Sequence, residues 1–481
     1  MDTRDNKGEA VSTTDRNDQA QGANDPAENS LSRRAVLKSF GLGAAALGVA
    51  GVSNKGLGTL SNRRLTPLER GQAAGGSTLK IGYVSPETGA LADFSQSDKY
   101  VLSKVRAAAA YAKGLKVGAH KYKVEITVAD SQSDPNRAAQ VAQQLVLQQK
   151  VDMIVTSSAP ETTNPVAAAC EQLRTPCLAT VVPWESWYVG LGGDPLKPTK
   201  TFAYNAVFFF GMKEFAGTFL PMWNRIQKET KAAKVFAGMF PNDSDGNAFR
   251  AGFPPFAAKE GYKLVDGGAY SDGTTNYSSM IEKFKAAGCE FFVNAPLPPD
   301  FNTFWKQAIQ ENFRPKLATV AKVLLFPSDV IALGSLVNNI ATDAWWTPWA
   351  PYKSSLTGES ARDFAIGYQK QEGKEWVQSM GSAYSLFEVA VEAFMHSGDP
   401  HNKAAVAKAL HNVSYSGLCG PIHFNKGPAP GVGIIYPVGI QWRPGKASAD
   451  FGMKNPFQPF VVDNSLNKHV PINGELLPTN K

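Results

Sequence analysis

The chain has 481 residues, a formal net charge of +7 and 43% hydrophobic residues, which suits a soluble protein of two domains rather than one small domain. Its charges are mixed along the chain, and no zinc-finger spacing or RNA-binding aromatic pattern occurs, so nucleic-acid binding is not expected. The motifs Gly-x-Ser-x-Gly, His-Glu-x-x-His and the Walker loop are absent, and the six histidines are scattered. We therefore expect no catalytic residues, no metal and no cofactor.

The N-terminal segment has the pattern of an export signal. Residues 1–31 are polar and predicted to be disordered. The triplet Ser32-Arg33-Arg34 precedes a weakly hydrophobic Gly/Ala run that is too short for a convincing membrane span, which is typical of a twin-arginine signal. Gly41-Leu42-Gly43 is not a dinucleotide fingerprint because no strand precedes it. We predict that residues 1–78 are leader and linker and that the protein is periplasmic; the alternative is an uncleaved tail with a chance arginine pair.

The cysteine content leaves two readings open. Cys170 and Cys177 stand at a predicted helix end and strand start, and an exported protein meets an oxidising compartment. They either form a disulfide or serve as small buried hydrophobic residues.

From residue 79 onward, strands and helices are predicted to alternate. Apolar strands are predicted at 79–86, 122–130, 151–158 and 176–182, with amphipathic helices between them. Asp134 and Pro135 are predicted to be the N-cap and first residue of one of these helices. This alternation predicts a mostly parallel sheet covered on both faces, hence an α/β fold.

A second unit of the same kind follows Thr201. Its predicted strands are 234–241, 262–270, 289–296 and 315–322. The last third begins with a Trp- and Pro-rich stretch at 343–355, then two helices at 361–371 and 381–396, then late strands at 418–425 and 434–442. We expect this last third to return to both units.

Four motifs in order resemble the leucine/isoleucine/valine-type solute-binding proteins of ABC importers. They are Pro86-Glu87-Thr88-Gly89 after the first strand, Asp134-Pro135 opening a helix, the Ser/Thr-rich loop 157–163 and the late GLCGPIHFN at 417–425. Their order and spacing, rather than any single motif, carry the resemblance, which covers residues 79–445.

The resemblance implies a type I periplasmic binding protein: two Rossmann-like lobes with mostly parallel sheets, joined by a hinge of three crossing strands. We place the crossings near 202–206, 342–347 and 416–420. The expected division is lobe 1 at 79–203 plus 346–416, lobe 2 at 204–345 plus 417–460, and a C-terminal tail at 461–481. A small-molecule ligand would bind in the cleft, outside the carboxyl ends of the strands. The expected partner is a membrane permease, and the expected state is a monomer.

On lobe 1, the loop after the third predicted strand is a candidate binding site. In the family this loop holds the ligand's carboxylate, which implies roles for Ser157, Ser158 and Thr162. The alternative is a plain helix cap. Glu161 is unusual there and either accepts a hydrogen bond from the ligand or faces solvent.

Two tryptophans argue for a flat or bulky apolar ligand. In register with the family, Trp184 takes the place of a small hydroxyl residue that touches the ligand, and Trp187 follows one turn later. The alternative is that both tryptophans cover the end of the sheet. Phe94 either forms the facing wall or belongs to the core.

On lobe 2 the family's pattern breaks. Amino-acid binders of the family place an acidic residue just after this strand, whereas this chain has Lys322. If Lys322 faces the cleft, an anion is favoured; otherwise it is a surface lysine. Asn294, Leu297 and Asp245 stand near other ligand-touching positions, and Asp245 is a candidate acceptor. The surrounding stretch Asn242–Gly246 lacks the full ligand set of a calcium loop.

The aromatic residues near the hinge have no assigned role at this level. Trp345, Trp346 and Trp349 are expected to form a hydrophobic patch under the hinge, and residues 208–210 reach either the cleft or the core. The sequence therefore predicts an exported solute-binding protein for a small organic acid, with an apolar and possibly aromatic part. The alternatives are an amino-acid binder, in which Asp245 or Glu161 replaces the missing acid, and a sensor domain of the same fold.

Overall fold

The alternation of strands and helices begins at the first residue described. The computed structural model describes residues 78–479, which lie in one compact unit. The strands are β1 Thr78–Ser85, β2 Leu115–Val117, β3 His120–Asp130, β4 Met153–Ser157, β5 Cys177–Thr180, β6 Asn205–Phe208, β7 Val235–Met239, β8 Lys263–Asp266, β9 Phe291–Asn294, β10 Leu317–Val320, β11 Ile340–Ala344, β12 Ser414–Gly417, β13 Gly420–His423, β14 Val432–Gly433, β15 Val438–Pro444 and β16 Phe457–Asp463. The α-helices are α1 Asp98–Ala107, α2 Ala109–Ala112, α3 Pro135–Leu147, α4 Pro160–Gln172, α5 Trp184–Gly190, α6 Met212–Thr230, α7 Ser244–Gly252, α8 Pro254–Lys259, α9 Ser278–Ala286, α10 Pro298–Gln310, α11 Pro327–Leu333, α12 Ala361–Glu372, α13 Ser379–His396 and α14 Lys403–Leu410.

The predicted leader, including Ser32-Arg33-Arg34, lies outside the described residues. Among the residues that are described, none of the helices combines the length and the apolar character needed to cross a bilayer.

Two mostly parallel sheets define two lobes. The sheet of lobe 1 has the order β14-β6-β5-β4-β1-β3-β2, and that of lobe 2 has the order β16-β15-β11-β10-β9-β7-β8. Among the described strands of the lobe 1 sheet, only β2 runs antiparallel to its neighbour, and in the lobe 2 sheet the antiparallel pairs are β11–β15 and β15–β16. Helices cover the faces, as the buried apolar runs of the parallel strands require. The predicted α/β fold of two lobes is confirmed.

Local sequence chemistry sets the helix starts. Asp134 caps α3, because its Oδ1 accepts a hydrogen bond of 2.7 Å from the backbone N–H of Arg137, and Pro135 fills the first helical position. The apolar side chains of α3 that were predicted to face the core are buried there: Ala138, Val141, Ala142, Leu145 and Val146.

The chain crosses between the lobes three times, and two crossings lie later than predicted. The first follows β6, at 209–211, because β6 pairs with β5 in lobe 1 and α6 packs on the strands of lobe 2. The second follows β11, within the predicted range. The third lies at 434–437 rather than 416–420, because β12 and β13 form a hairpin of their own and the two-residue β14 then joins the edge of lobe 1 beside β6.

The predicted tail belongs to lobe 2. β16 extends to Asp463, and the segment after it returns to the same sheet, where the Gln441 side-chain amide donates to the carbonyl of Leu477 at 2.6 Å. Polar residues dominate this segment, so its sequence gave no sign of packing.

The four cysteines are buried free thiols in the described part of the chain. A hydrogen bond with Cys170, together with burial, raises the pKa of the Cys177 thiol well above its ordinary value. Of the two readings, the structure has the one without a disulfide.

Candidate functional site

A cavity lies between the two lobes. It holds about 410 Å³ of empty space, part of it open to solvent. Its wall consists of Phe94, Ala159, Val181, Pro183, Phe209, Phe210, Phe215, Asp245, Phe249, Ala295, Ala321, Lys322, Leu325, Asp343 and Trp345. Most of these residues directly follow β1, β4, β5, β6, β9, β10 or β11, or end such a strand, so the cavity sits at the carboxyl ends of both sheets. This is where open α/β sheets bind their ligands.

The lobes are closed around the cavity. Helices α4 and α5 of lobe 1 contact α7 of lobe 2. Phe94 of lobe 1 meets Phe326 of lobe 2 edge to face, with ring centroids 5.1 Å apart. Ser328 of lobe 2 also donates a hydrogen bond of 3.1 Å to the carboxylate of Asp93 in lobe 1.

Much of the cavity wall is aromatic. Phe209 and Phe210 are stacked with ring centroids 4.2 Å apart, and Phe209 meets the ring of Trp345 at 5.2 Å. Phe215 contacts both Phe210 and Phe249 at 4.6 Å. Ring faces and edges of this kind suit a flat or bulky apolar group.

Lys322 lies at the cavity, where it is only 8% exposed. Its Nζ is 2.8 Å from Asp245 Oδ2, 3.2 Å from Glu161 Oε1 and 3.7 Å from Asp243 Oδ2. Burial acts to lower the pKa of Lys322, but the three carboxylates together hold that pKa well above its ordinary value. Lys322 therefore stays charged.

The carboxyl groups outnumber the lysine at this point. Burial raises the pKa of Asp245 to about 7, and Lys322 opposes that rise. Lys322 is thus one cation among three carboxyl groups. The inward position of Lys322 therefore does not make the cleft cationic, and the anion preference expected from Lys322 alone loses its basis.

The start of α4 borders the cavity through its N-cap residue, Ala159. Ser157, Ser158 and Thr162 are buried just behind it, and their hydroxyl oxygens have no hydrogen-bond partner among residues 78–479. They are not part of the wall itself. The structure thus places these predicted residues beside the cavity, around a helix N-terminus that attracts negative charge.

Trp184 and Trp187 are not part of the cavity wall. Both belong to the hydrophobic core of lobe 1, where Trp187 is fully buried and packs on Tyr188 and Phe202. Pro183 reaches the cavity in their place. Helix α5 turns both indole rings inward, towards α4 and β6. The two tryptophans therefore cover the end of the lobe 1 sheet, which was the alternative to a role in ligand binding.

The remaining predicted residues divide between the wall and its support. Phe94 and Asp245 line the cavity. Asn294 lies behind it, where its Oδ1 accepts a hydrogen bond of 3.1 Å from the N–H of Ala321 and so holds the loop that carries Lys322. Leu297 begins α10 and is not in the wall.

Asp343 is a wall residue that the sequence analysis did not consider, whereas residues 208–210 were left open between cleft and core and Trp345 was expected under the hinge. Asp343 is 1% exposed at the end of β11, and burial raises its pKa to about 7. Its Oδ1 has no hydrogen-bond partner in the described part of the chain. The signal that could have identified it is an acidic side chain near the end of a buried strand. In the sequence analysis this stretch was treated only as part of the hinge.

The sequence and the fold were compared with those of known proteins. A family model described as "Periplasmic binding protein" matches residues 78–432, well over half of the chain. A leucine binding protein from Thermotoga maritima is 16% identical, with a TM-score of 0.63 over 76% of this chain and 95% of that one.

Two ligand-bound structures share the fold. One is a branched-chain amino acid transporter substrate binding protein from Streptococcus pneumoniae in complex with isoleucine: 15% identity, 83% of this chain and 99% of that one, TM-score 0.58. The other is an ABC transporter solute binding protein from R. palustris in complex with 4-hydroxybenzoate: 16% identity, 83% of this chain and 96% of that one, TM-score 0.60. Likenesses at this level of identity show the fold alone. The resemblance seen in the sequence is confirmed by the family match: the chain belongs to the periplasmic binding protein family.

Proposed function

We propose that this chain is an exported solute-binding protein that captures a small organic acid with a flat or bulky apolar body and delivers it to the permease of an ABC importer. The observation that carries the proposal is the closed cavity between the lobes, with phenylalanine rings on its wall and the start of α4 at its edge. Export by the twin-arginine route and a monomeric state are part of the same proposal.

The start of α4 supplies the place for the ligand's carboxylate. The hydroxyl groups of Ser157, Ser158 and Thr162, which have no hydrogen-bond partner in the described region, are donors beside it. A helix N-terminus contributes about 0.3–1 kcal/mol to holding one negative charge. The complex of a relative of the same fold with 4-hydroxybenzoate supports an aromatic acid as the ligand class.

In this proposal Lys322 is not the group that binds the ligand's carboxylate, although its positive charge alone suggests that role. It already contacts three carboxylates, so it joins the lobes rather than providing an unpaired positive charge for the ligand. A ligand carboxylate at the start of α4 would have to share Lys322 with Glu161.

An amino acid is the second candidate, and the surplus of acid at Lys322 favours it. Asp245 Oδ1 and Glu161 Oε2 are buried atoms without hydrogen-bond partners in the described region. Either oxygen would accept a hydrogen bond from the α-ammonium group of an amino acid. It would thereby replace the acidic residue that amino-acid binders of the family carry at the position of Lys322. The isoleucine complex of a relative of the same fold supports this candidate.

Ligand screening by thermal shift, followed by calorimetry, tests the proposal. The panel contains benzoate, 4-hydroxybenzoate and 3-phenylpropionate on one side, and phenylalanine, tyrosine, leucine and isoleucine on the other. A ligand bound only by the native state raises the melting temperature, and we expect a rise with the acids. A rise with amino acids alone would replace the proposal by the second candidate, and no rise with either set would reject both.

A further inference from the structure

Asp343 combines features that the packing of the protein does not require. It is the last but one residue of β11, lines the cavity and is almost completely buried. Buried carboxyl groups normally pair with a cation or accept several hydrogen bonds. No ion pair of Asp343 occurs among the described residues, and its Oδ1 lacks a hydrogen-bond partner there.

Glu388 shows how a buried carboxyl group away from the cavity is fully satisfied. Glu388 on α13 accepts hydrogen bonds from the backbone N–H groups of Ser355 at 2.6 Å and Leu418 at 2.9 Å, and from the hydroxyl of Ser385 at 2.8 Å. Other buried acids, such as Asp98 and Asp329, also have one oxygen without a partner among the described residues, but they do not line the cavity. Of the two acids in the cavity wall, Asp245 pairs with Lys322, whereas Asp343 has no ion pair in the described part of the chain.

The backbone around Asp343 is firmly held. Gln378 of lobe 1 donates from its amide to the carbonyl of Asp343 at 3.1 Å and accepts from the N–H of Trp345 at 3.0 Å. On the other side, Asp343 pairs with Gly439 of β15. The carboxyl group is therefore presented to the cavity from a fixed position, as a preorganised binding group must be.

We infer that Asp343 determines specificity by accepting a hydrogen bond from a hydroxyl group on the apolar body of the ligand. This inference rests on the proposed function, because it assigns a contact in the same cavity. A hydroxyl needs one acceptor, which Asp343 provides, whereas an ammonium group carries three donors. The wall beside Asp343 is formed by Trp345, which contacts Phe209 and Phe210, and these rings offer no further strong acceptors.

The inference is tested with matched ligand pairs that differ by one hydroxyl. The pairs are 4-hydroxybenzoate with benzoate, 3-hydroxybenzoate with benzoate, and tyrosine with phenylalanine. Calorimetry on the wild-type protein should show at least one hydroxylated member binding about 10-fold or more tightly than its partner, since a hydrogen bond to a charged group contributes at this level. In Asp343→Leu the preference should fall to within about threefold, through loss of affinity for the hydroxylated member.

Two further variants separate recognition from structure. Asp343→Asn keeps an acceptor oxygen and should retain part of the hydroxyl preference. Glu388→Gln removes a satisfied buried carboxylate away from the cavity, and should lower the melting temperature without changing the preference. An undiminished hydroxyl preference in Asp343→Leu would overturn the inference.

The melting temperatures of the ligand-free wild type and Asp343→Leu provide a test that does not depend on the choice of ligand. A carboxyl group kept for a ligand costs stability in the empty protein, so Asp343→Leu should melt at a higher temperature than the wild type. If only tyrosine and phenylalanine bind, the aromatic-acid proposal fails while the hydroxyl test still applies. If no member of any pair binds, the proposed function fails, and the melting temperature decides: a rise supports a reserved carboxyl group, and a fall like that of Glu388→Gln overturns the inference.

Discussion

Lys322 of lobe 2 and Glu161 of lobe 1 form an ion pair across the cleft, with Nζ 3.2 Å from Oε1. Each side chain comes from the segment that follows the carboxyl end of a parallel strand, β10 for Lys322 and β4 for Glu161. The same ammonium group also contacts Asp243 and Asp245 within its own lobe. The pair therefore stabilises the closed arrangement of the lobes directly, and the lobe 2 carboxylates keep Lys322 charged when the lobes separate.

Removing the lobe 1 partner should favour the open state. In Glu161→Gln the cross-cleft ion pair is lost, while Lys322 keeps Asp243 and Asp245. The side chain of Glu161 is 26% exposed, so we expect a modest effect of about 0.5–1 kcal/mol on closure. Small-angle X-ray scattering of the ligand-free protein should show a larger radius of gyration than in the wild type. An unchanged scattering curve would show that the pair does not hold the lobes together.

Removing the lysine should destabilise the fold. Lys322→Met leaves three carboxylates without their cation in a buried place, and breaking a buried ion pair from one side costs about 3–5 kcal/mol. Urea unfolding at pH 8 measures this change, and the exposed Lys306→Met on α10 is the matched control. The loss should shrink at pH 5, where Asp245, whose pKa burial raises to about 7, takes up a proton. A loss no larger than that of Lys306→Met would contradict the role given to Lys322.

The buried acids set a pH dependence of stability. Burial raises the pKa of Asp343 to about 7, from an ordinary value of 3.8. Between these two values the folded protein holds a proton that the unfolded chain has released, so the free energy of unfolding falls as the pH rises from about 4 to 7 and then levels off. Burial also raises the pKa of Asp98 and Asp329 to about 7, which adds to the same trend.

A single variant isolates the share of Asp343. In Asp343→Asn the loss of stability between pH 5 and pH 8 should be smaller than in the wild type by about 2–3 kcal/mol, since one pKa unit corresponds to about 1.4 kcal/mol. Urea unfolding at the two pH values provides the measurement. Glu282→Gln on the exposed face of α9 should leave the wild-type difference unchanged. The assignment fails if Asp343→Asn and Glu282→Gln behave alike.

Substitutions of a cavity phenylalanine and of a core tryptophan should affect different properties, ligand affinity for the first and thermal stability for the second. Phe210→Ala removes a ring from the wall and should weaken the best ligand by about 1–3 kcal/mol. Trp187→Phe alters the core of lobe 1 away from the wall and should lower the melting temperature with little change in affinity. Calorimetry and thermal unfolding on both variants provide the comparison. Equal affinity losses would mean that Trp187 acts on the ligand after all.

The order of strands and helices was predictable because each element has a local sequence pattern. Runs of buried apolar residues mark the parallel strands, and pairs such as Asp134-Pro135 mark helix starts. The third crossing was missed because β14 has two residues and is held by its pairing with β6, which no local pattern records. The same limit applies to the segment after Asp463, where side-chain hydrogen bonds from distant residues do the packing.

The candidate site was predictable in its chain position and less so in its detail. Phe94, Asp245 and Lys322 could be placed near the cleft because they stand at or after strand ends. The direction of a side chain within a turn is set by tertiary packing, so Trp184 could not be distinguished from Pro183, which reaches the wall. The surplus of carboxyl groups around Lys322 combines residues from three separate segments, and only the folded chain brings them together.

The return of the C-terminal segment to lobe 2 bears on when the protein can fold. Thr479 donates its N–H to the carbonyl of Lys316 at 2.8 Å, and its Oγ1 accepts from the N–H of Ala318 at 2.9 Å. The strand that leads to Lys322 is thus completed by nearly the last residue described. Because proteins are synthesised from the N-terminus, this lobe cannot finish folding until the residues up to Thr479 have left the ribosome. Completion of the lobe 2 sheet therefore waits for residues that lie more than 150 positions after β10 in the sequence.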